Sequence, residues 1–261
     1  MPSALDLVDT SLRCAAGHNF DLAREGYVNL LPVQNKRSLQ PGDDRDMLAA
    51  RRHFLQAGYY DQLVAAISTQ LAQLSPSSLL DIGCGEGFYL QNIYPALPAI
   101  QLLGLDISKF AIRMSAKRSM SAQLCVASAA SLPYFENSVD CALSIFSPIS
   151  ADECRRVLNA DGHLLMVGPG KSHLHELKAL LYDNPQEHAG NFFDIDRCDA
   201  FSLLSEEEIL FVRDVPASDL SHLLRMTPYY WQSSLEKKAS VCHRDSLRLQ
   251  FHFVLRRYAG S

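Results

Sequence analysis

Positions 81 to 87 read Asp81-Ile82-Gly83-Cys84-Gly85-Glu86-Gly87, directly after a short apolar run. The glycines fall at i, i+2 and i+4. Dinucleotide-binding loops space theirs at i, i+2 and i+5, which seats a pyrophosphate on a helix N-terminus. Here the spacing differs, and Asp81 sets a carboxylate beside the loop, which repels a pyrophosphate but tolerates an ammonium or a sulfonium. Glycine suits such a loop because it must turn tightly and let a ligand approach the backbone; a strand-to-helix turn with no ligand uses the same residues. Asp106 stands 23 positions after Gly83, at the end of the next apolar run and just before Ile107. A carboxylate there can accept hydrogen bonds from both hydroxyls of a ribose. Two further elements fall after the following runs: Ala127-Ser128 with Leu132-Pro133-Tyr134, and Asp140. Both are expected at the edge of the sheet where its crevice lies.

The elements that must position these residues form an alternating series. Strands are expected at Leu79 to Ile82, Leu102 to Leu105, Gln123 to Ala127, Asp140 to Phe146 and His163 to Val167, with a turn at Asn159 to Gly162. Helices fall between them: Phe88 to Tyr94, Lys109 to about Arg118 with Ser108 as N-cap, and Asp152 to Leu158. Strands separated by helices at this spacing predict a parallel, doubly wound sheet. Ahead of it, Asp43 to about Leu74 reads as helical, capped by Asp43 or Asp44 and interrupted at Gly58. Residues 1 to about 42 show little helix or strand pattern. Later come strands at Ile209 to Val212 and Leu247 to Leu255, with a helix near Leu220 to Met226.

Composition bounds the function. The chain has 261 residues, 48% of them hydrophobic, enough for one α/β core and a smaller appendage. Its formal net charge is -5, so any nucleic-acid role must rest on local patches. One candidate is the stretch from 225 to 261, where Arg225, Lys237, Lys238, Arg244, Arg248, Arg256 and Arg257 face only Glu236 and Asp245; a merely solvated basic surface has the same composition. The seven cysteines are scattered and odd in number, the usage of a reducing compartment. No apolar segment follows a basic start, and no uncharged apolar run reaches the roughly 18 residues that span a membrane. The expected setting is cytoplasmic.

The glycine loop, Asp106 and the elements after the third and fourth strands together resemble the Rossmann-like class of S-adenosylmethionine methyltransferases, over roughly residues 75 to 170. The flanks carry a closer likeness: Cys14-Ala15-Ala16-Gly17-His18-Asn19-Phe20-Asp21, the block from Glu25 to Val33, Pro41-Gly42-Asp43, Arg51-Arg52, Phe54 to Tyr60, Pro169 to Lys178, and Met226-Thr227-Pro228-Tyr229-Tyr230-Trp231. Over essentially the whole chain this resembles the bacterial 23S ribosomal RNA guanine-N1 methyltransferases. One branch acts at guanine 745; another acts at guanine 748 and confers macrolide resistance. Overall likeness favours the 745 branch.

The resemblance implies the rest. Tyr60, Gly85, Glu86 and His173 match cofactor contacts, joining Asp81, Gly83, Gly87, Asp106, Ile107, Ala127 and Ser128 as the expected binding set. Read without the family, Tyr60 is equally a core tyrosine and His173 a polar helix-start residue. The family begins with a four-ligand zinc site. Here Cys14 and His18 remain, and no cysteine stands before Cys14 in this sequence. Two ligands are a residual half-site, so zinc is not expected. The implied organisation is a degenerate zinc-ribbon part at 1–42, a helical linker at 43–74 and a methyltransferase domain at 75–261. The implied partners are 23S rRNA and a second copy of the chain. For the proton on guanine N1 the candidates are Ser147, Ser150, Asp152 and His173, none of which stands out, so no base is assigned. Tyr229, Tyr230 and Trp231 are candidate stacking platforms for an extruded base. A small-molecule methyltransferase would keep positions 81–87 and 106 without needing the basic, tyrosine-rich end.

Overall fold

Short apolar runs separated by helical spacing become the parallel centre of one sheet. The computed structural model describes residues 4–31, 42–97, 99–188 and 190–260. The central strands are β5 (Ser78–Ile82), β6 (Gln101–Asp106), β7 (Ala122–Val126), β8 (Val139–Ile145) and β9 (Leu158–Pro169), interleaved with α3 (Phe88–Ile93), α4 (Lys109–Ser115) and α5 (Ala151–Val157). β6 and β7 lie to one side of β5 in succession, whereas β8 and then β9 lie to the other. The chain therefore reverses direction across the sheet at β5. At such a switch point the flanking connections diverge and leave a crevice beyond the strands' C-terminal ends.

The sheet is mixed rather than wholly parallel. β11 (Ser246–Gly260) runs antiparallel to β9, and β10 (Phe201–Pro216) antiparallel to β11 at the edge. Both strands outrun the expected segments. In β10 most residues face solvent and several are charged, so only Phe201, Ile209, Phe211 and Val215 stand out as buried. The expected turn at 159–162 is an insertion inside β9: Val139 pairs with Leu158, and Cys141 next with His163.

Residues 4–31 hold more structure than their pattern suggests. β1 (Asp6–Val8), β2 (Ser11–Arg13) and β3 (Asn19–Asp21) form a small antiparallel sheet, too short to show periodicity. β4 (Val28–Asn29) joins the main sheet parallel to β7. Pro32, Val33 and Pro41 lie outside the described residues.

The expected helical segment is two helices, α1 (Arg45–Gln56) and α2 (Asp61–Leu74). Asp44 caps α1, its side chain accepting from the Met47 N–H at 2.8 Å. Leu63, Ile67 and Leu71, at four-residue spacing, bury one face of α2. Alternation along β5 divides the core. Leu80 and Ile82 join the core on one face, Leu79 the core on the other with Tyr60, Leu63 and Phe251. Asp81 shares Leu79's parity, so a carboxylate stands where the pattern asks for an apolar residue. The C-terminal half adds α6 (His175–Leu181), α7 (Phe193–Asp196), α8 (Ala217–Arg225), α9 (Tyr229–Gln232) and α10 (Leu235–Cys242); of these only α8 is expected from pattern. No helix among the described residues is long and apolar enough to cross a membrane.

Candidate active site

The loop after β5 is built to approach something. The N–H groups of Gly83 and Cys84 both donate to the Leu105 carbonyl at 2.9 Å, tying the loop to the end of β6. Gly83 has φ +77, and a methyl group on it would come within 2.1 Å of Ser147 Oγ, so only glycine fits. Gly85, at φ +55, has no atom closer than 3.8 Å to such a methyl and faces open space. Asp106 closes the other side. Its Oδ2 accepts from the Gly85 N–H at 3.0 Å and its Oδ1 from the Ser108 N–H at 2.7 Å. Burial raises the pKa of this carboxyl, and those two N–H groups oppose the rise.

Behind the loop lies Asp81, 1% exposed, its Oδ2 lacking a hydrogen-bond partner among the described residues. Burial, followed by the charge of Asp106, pushes its pKa up to about 8. Glu86 is equally buried; Oε2 pairs with Arg118 while Oε1 has no partner. Unsatisfied buried carboxylate oxygens are expensive to keep.

These groups surround a cavity of about 660 Å³ at the switch point. Of the expected residues, Tyr60, Asp81, Gly83, Gly85, Glu86, Asp106, Ile107 and His173 line it. Gly87, Ala127 and Ser128 are not among the lining residues. Gly87 is the N-cap of α3, Ala127 donates its N–H to the Asp106 carbonyl at 3.1 Å, and Ser128 bridges to Ser131. Asp140 stands at the opposite edge, because a residue that opens a parallel strand lies at its N-terminal end. There it accepts from the N–H groups of Ser77 and Ser78 at 2.9 and 3.1 Å. Of the base candidates, Ser147 and His173 line the cavity; Ser150 caps α5 and Asp152 is exposed. Of the aromatic candidates only Tyr229 lines it, while Trp231 is 64% exposed.

Tyr60 and His173 are both buried. Tyr60 packs edge-on against Phe253 with ring centroids 4.9 Å apart. His173 accepts the His252 N–H on Nδ1 at 3.3 Å, which leaves the proton on Nε2. Burial, with neighbouring imidazoles and Lys178, lowers its pKa to about 3.

Several lining residues carried no expected role. Asp43 precedes α1, and Met47 and Arg51 lie on it, with Arg51 bonded to Asp43 at 2.5 Å. Phe146, at φ +54, follows β8. His188 and Asn191 sit in the connection between α6 and α7, which has no periodic pattern to flag them.

The N-terminal sheet holds the other candidate pair. Cys14 Sγ and His18 Nδ1 stand 3.2 Å apart across a turn closed by Cys14 N–H to His18 carbonyl at 3.1 Å. Among the described residues no three His, Cys, Asp or Glu side chains come together as a metal site.

A crevice at the switch point, with a glycine loop on one strand and an acid ending the next, defines a Rossmann-like methyltransferase. Residues 79–162 match the family described as "Methyltransferase domain", and residues 2–39 the one described as "RlmA, N-terminal", a zinc-ribbon family. The chain belongs to the 23S rRNA (guanine-N1)-methyltransferase family. It is 31% identical over 237 residues to the 23S rRNA (guanine(748)-N(1))-methyltransferase of Streptomyces fradiae, covering 88% of this chain and 84% of that protein. It is 39% identical over 184 residues to a protein of Micromonospora griseorubida that carries a 23S rRNA (guanine-N(1)-)-methyltransferase name. That match covers 64% of this chain and 61% of the relative's length. A solved structure from work on "Conversion of a Disulfide Bond into a Thioacetal Group during Echinomycin Biosynthesis" shares the fold, with TM-score 0.50 and 17% identity over 75% of this chain and 81% of that one.

Proposed function

We propose that this chain transfers a methyl group from S-adenosylmethionine to N1 of a guanine in 23S rRNA. The observation that carries the reading is the pairing of Asp106 with the open Gly85 loop, over the unpartnered oxygen of Asp81, in a chain of this family. Each Asp106 oxygen holds one N–H and keeps a lone pair, enough for the two hydroxyls of a ribose. The cofactor's ammonium would pair with the Asp81 carboxyl, whose Oδ2 has no hydrogen-bond partner among the described residues. The proposed contacts are Tyr60, Asp81, Gly83, Gly85, Glu86, Asp106, Ile107 and His173, with Gly87, Ala127 and Ser128 shaping the loop ends behind them.

The bound cofactor supplies a methyl group already activated on a sulfonium. The protein's contribution is alignment in a site shielded from water. Tyr60, Phe146 and Tyr229 give the cavity aromatic walls. A guanine must leave its stack to enter, and aromatic faces suit an extruded base.

The reading includes 23S rRNA as partner and a homodimer, both from family likeness, and a cytoplasmic setting, from the scattered cysteines. It omits structural zinc, because two donors do not make a four-ligand site. The basic C-terminal stretch contributes less free charge than its composition suggests. Arg225 pairs with Asp46, Lys237 with Asp183, and Arg256 with Asp196 and Glu206. The target is read as the 745 type. The Streptomyces fradiae relative favours guanine 748 as a second reading.

Radiolabelled S-adenosylmethionine, unmethylated 23S hairpin transcripts and a panel of small metabolites test this directly. Label should enter RNA, and reverse transcription should stop beside one guanine, because an N1 methyl blocks pairing. Label in a metabolite and none in RNA would overturn the reading in favour of a small-molecule methyltransferase. The position of the stop separates 745 from 748.

A further inference from the structure

Guanine N1 carries a proton that must leave as the methyl arrives. Among the cavity's titratable groups, most are already committed. His173 takes an N–H on Nδ1 and so carries its own proton on Nε2, which makes it a donor. Glu86 is paired with Arg118, and Asp106 holds two backbone N–H groups. The Ser147 hydroxyl donates to the Pro148 carbonyl at 3.4 Å.

Tyr229 and His188 differ. Both line the cavity, and the Tyr229 hydroxyl lies 2.7 Å from His188 Nε2. With the His188 proton on Nδ1, Nε2 is an acceptor. In that tautomer the Tyr229 hydroxyl donates to Nε2. Its oxygen lone pairs remain for a donor inside the cavity. The His188 N–H is fixed to the Lys171 carbonyl at 3.2 Å, which anchors the loop that carries the ring.

We propose that Tyr229 accepts the N1 proton of the target guanine and passes its own hydroxyl proton to His188. The proposal rests on the guanine-N1 reading above. In the step the N1–H bond breaks and an O–H bond forms at Tyr229, while the original Tyr229 proton moves to His188 Nε2. The N1 electron pair forms the bond to the methyl carbon as the carbon–sulfur bond breaks, its pair staying on sulfur. One positive charge passes from the sulfonium to the imidazolium, so the step balances without another reactant. Tyr229 is the catalytic residue and His188 acts through it.

The surroundings keep His188 ready to accept. Burial, then the Lys178 ammonium, holds its pKa down at about 4, so the ring is uncharged near neutral pH. The other titratable groups nearby are the His173 ring at 5.9 Å, Tyr229, and Glu187 beside Lys178. Lys178 donates to the Gln186 carbonyl at 2.6 Å. N1 grows more acidic as the methyl bonds to it, which drives the proton onto a weakly basic ring.

The test uses the full chain, a 23S hairpin transcript, and the variants Tyr229→Phe and His188→Gln. Tyr229→Phe should lower kcat by about 10²- to 10³-fold. KM for the RNA and calorimetric affinity for S-adenosylhomocysteine should stay within about threefold of wild type, where a general loss of structure would move both. The variant's rate should climb with pH between about 6 and 9, as solvent takes over the proton, while wild type stays flat. His188→Gln should share that pH profile, and it carries the test if Tyr229→Phe does not fold. Nitrogen-15 spectra of the protein alone should show His188 protonated on Nδ1. A fully active Tyr229→Phe with an unchanged pH profile, or a His188 protonated on Nε2, overturns the relay and leaves the guanine reading intact. A wild type that labels no guanine N1 overturns both.

Discussion

The switch-point crevice and the N-terminal sheet both hold polar residues singled out by spacing, yet they treat them differently. In the crevice, Asp81 and Glu86 are buried with oxygens that have no partner among the described residues, and Phe146 holds positive φ. Each of these works against folding. In the N-terminal sheet, β1 is exposed along its length, Leu7 is 64% exposed, and Cys14 and His18 face one another in an ordinary surface turn. A region that tolerates strain and buried charge is shaped by something besides stability. Only the crevice passes that criterion. Substitutions there should alter binding as well as stability, whereas those in the Cys14–His18 turn should alter little.

The largest effect is expected at Gly83. In Gly83→Ala the new methyl meets Ser147 Oγ at 2.1 Å and Ser147 Cβ at 2.6 Å, on a backbone at φ +77. Backbone strain and overpacking each cost about 1–3 kcal/mol, so urea unfolding should show a loss of about 4 kcal/mol. Adding Ser147→Gly should restore the overpacking share only. A Gly83→Ala protein that unfolds like wild type would remove the crevice's claim to a required glycine.

Asp106→Ala comes next. It removes both proposed ribose acceptors and strips the Gly85 and Ser108 N–H groups of their partner. Calorimetry with S-adenosylhomocysteine should show affinity weaker by about 2–4 kcal/mol. Unchanged affinity would sink the ribose assignment.

Asp81 adds a dependence on pH. Its folded pKa, about 8, lies above the unfolded carboxylate value, so the folded state holds the proton more tightly. The stabilising contribution is complete below the unfolded pKa of roughly 4 and disappears as pH rises through 8. Ligand-free protein should therefore lose stability between those limits. Asp81→Asn should flatten the slope and gain about 2–5 kcal/mol at pH 8. An ammonium bound beside the carboxylate lowers its pKa, so cofactor binding at pH 7 should release a proton, read by calorimetry in buffers of different ionisation enthalpy. No release would place the ammonium elsewhere.

How far the sequence revealed these sites depended on local pattern. β5 to β8 are buried on both faces, so they read as continuous apolar runs, and the glycine loop and Asp106 could be placed at strand ends. The same reading set Asp140 at the wrong edge, although it opens its strand and only the C-terminal ends of a parallel sheet face the crevice. The length of β10 was hidden because its outer face is charged. His188 reaches the cavity from a connection whose residues 182–192 have no period, so only the tertiary fold brings it to Tyr229. β1 to β3, of three residues each, are too short for alternation to register.

The smallest effect is expected in the N-terminal sheet, and it tests the other half of the comparison. Four donors hold structural zinc, and Cys14 with His18 supplies two. Asp21 is engaged by the Ser11 hydroxyl at 2.8 Å, and the residues outside the described ranges include no Cys, His, Asp or Glu. Elemental analysis should find well under one zinc per chain, and a chelator should leave the unfolding midpoint unchanged. Cys14→Ala should do the same, since surface changes away from special features usually shift stability by less than about 0.5 kcal/mol. One zinc per chain, lost on Cys14→Ala, would show that other groups complete the site. One zinc per two chains would be more informative. Two half-sites facing across a homodimer supply two cysteines and two histidines, a complete tetrahedral set. The sheet would then depend on metal for assembly, and midpoint and dimer should fall together on chelation. That outcome would end the contrast drawn between the two regions, because the exposed pair would then be part of a site completed by the second copy.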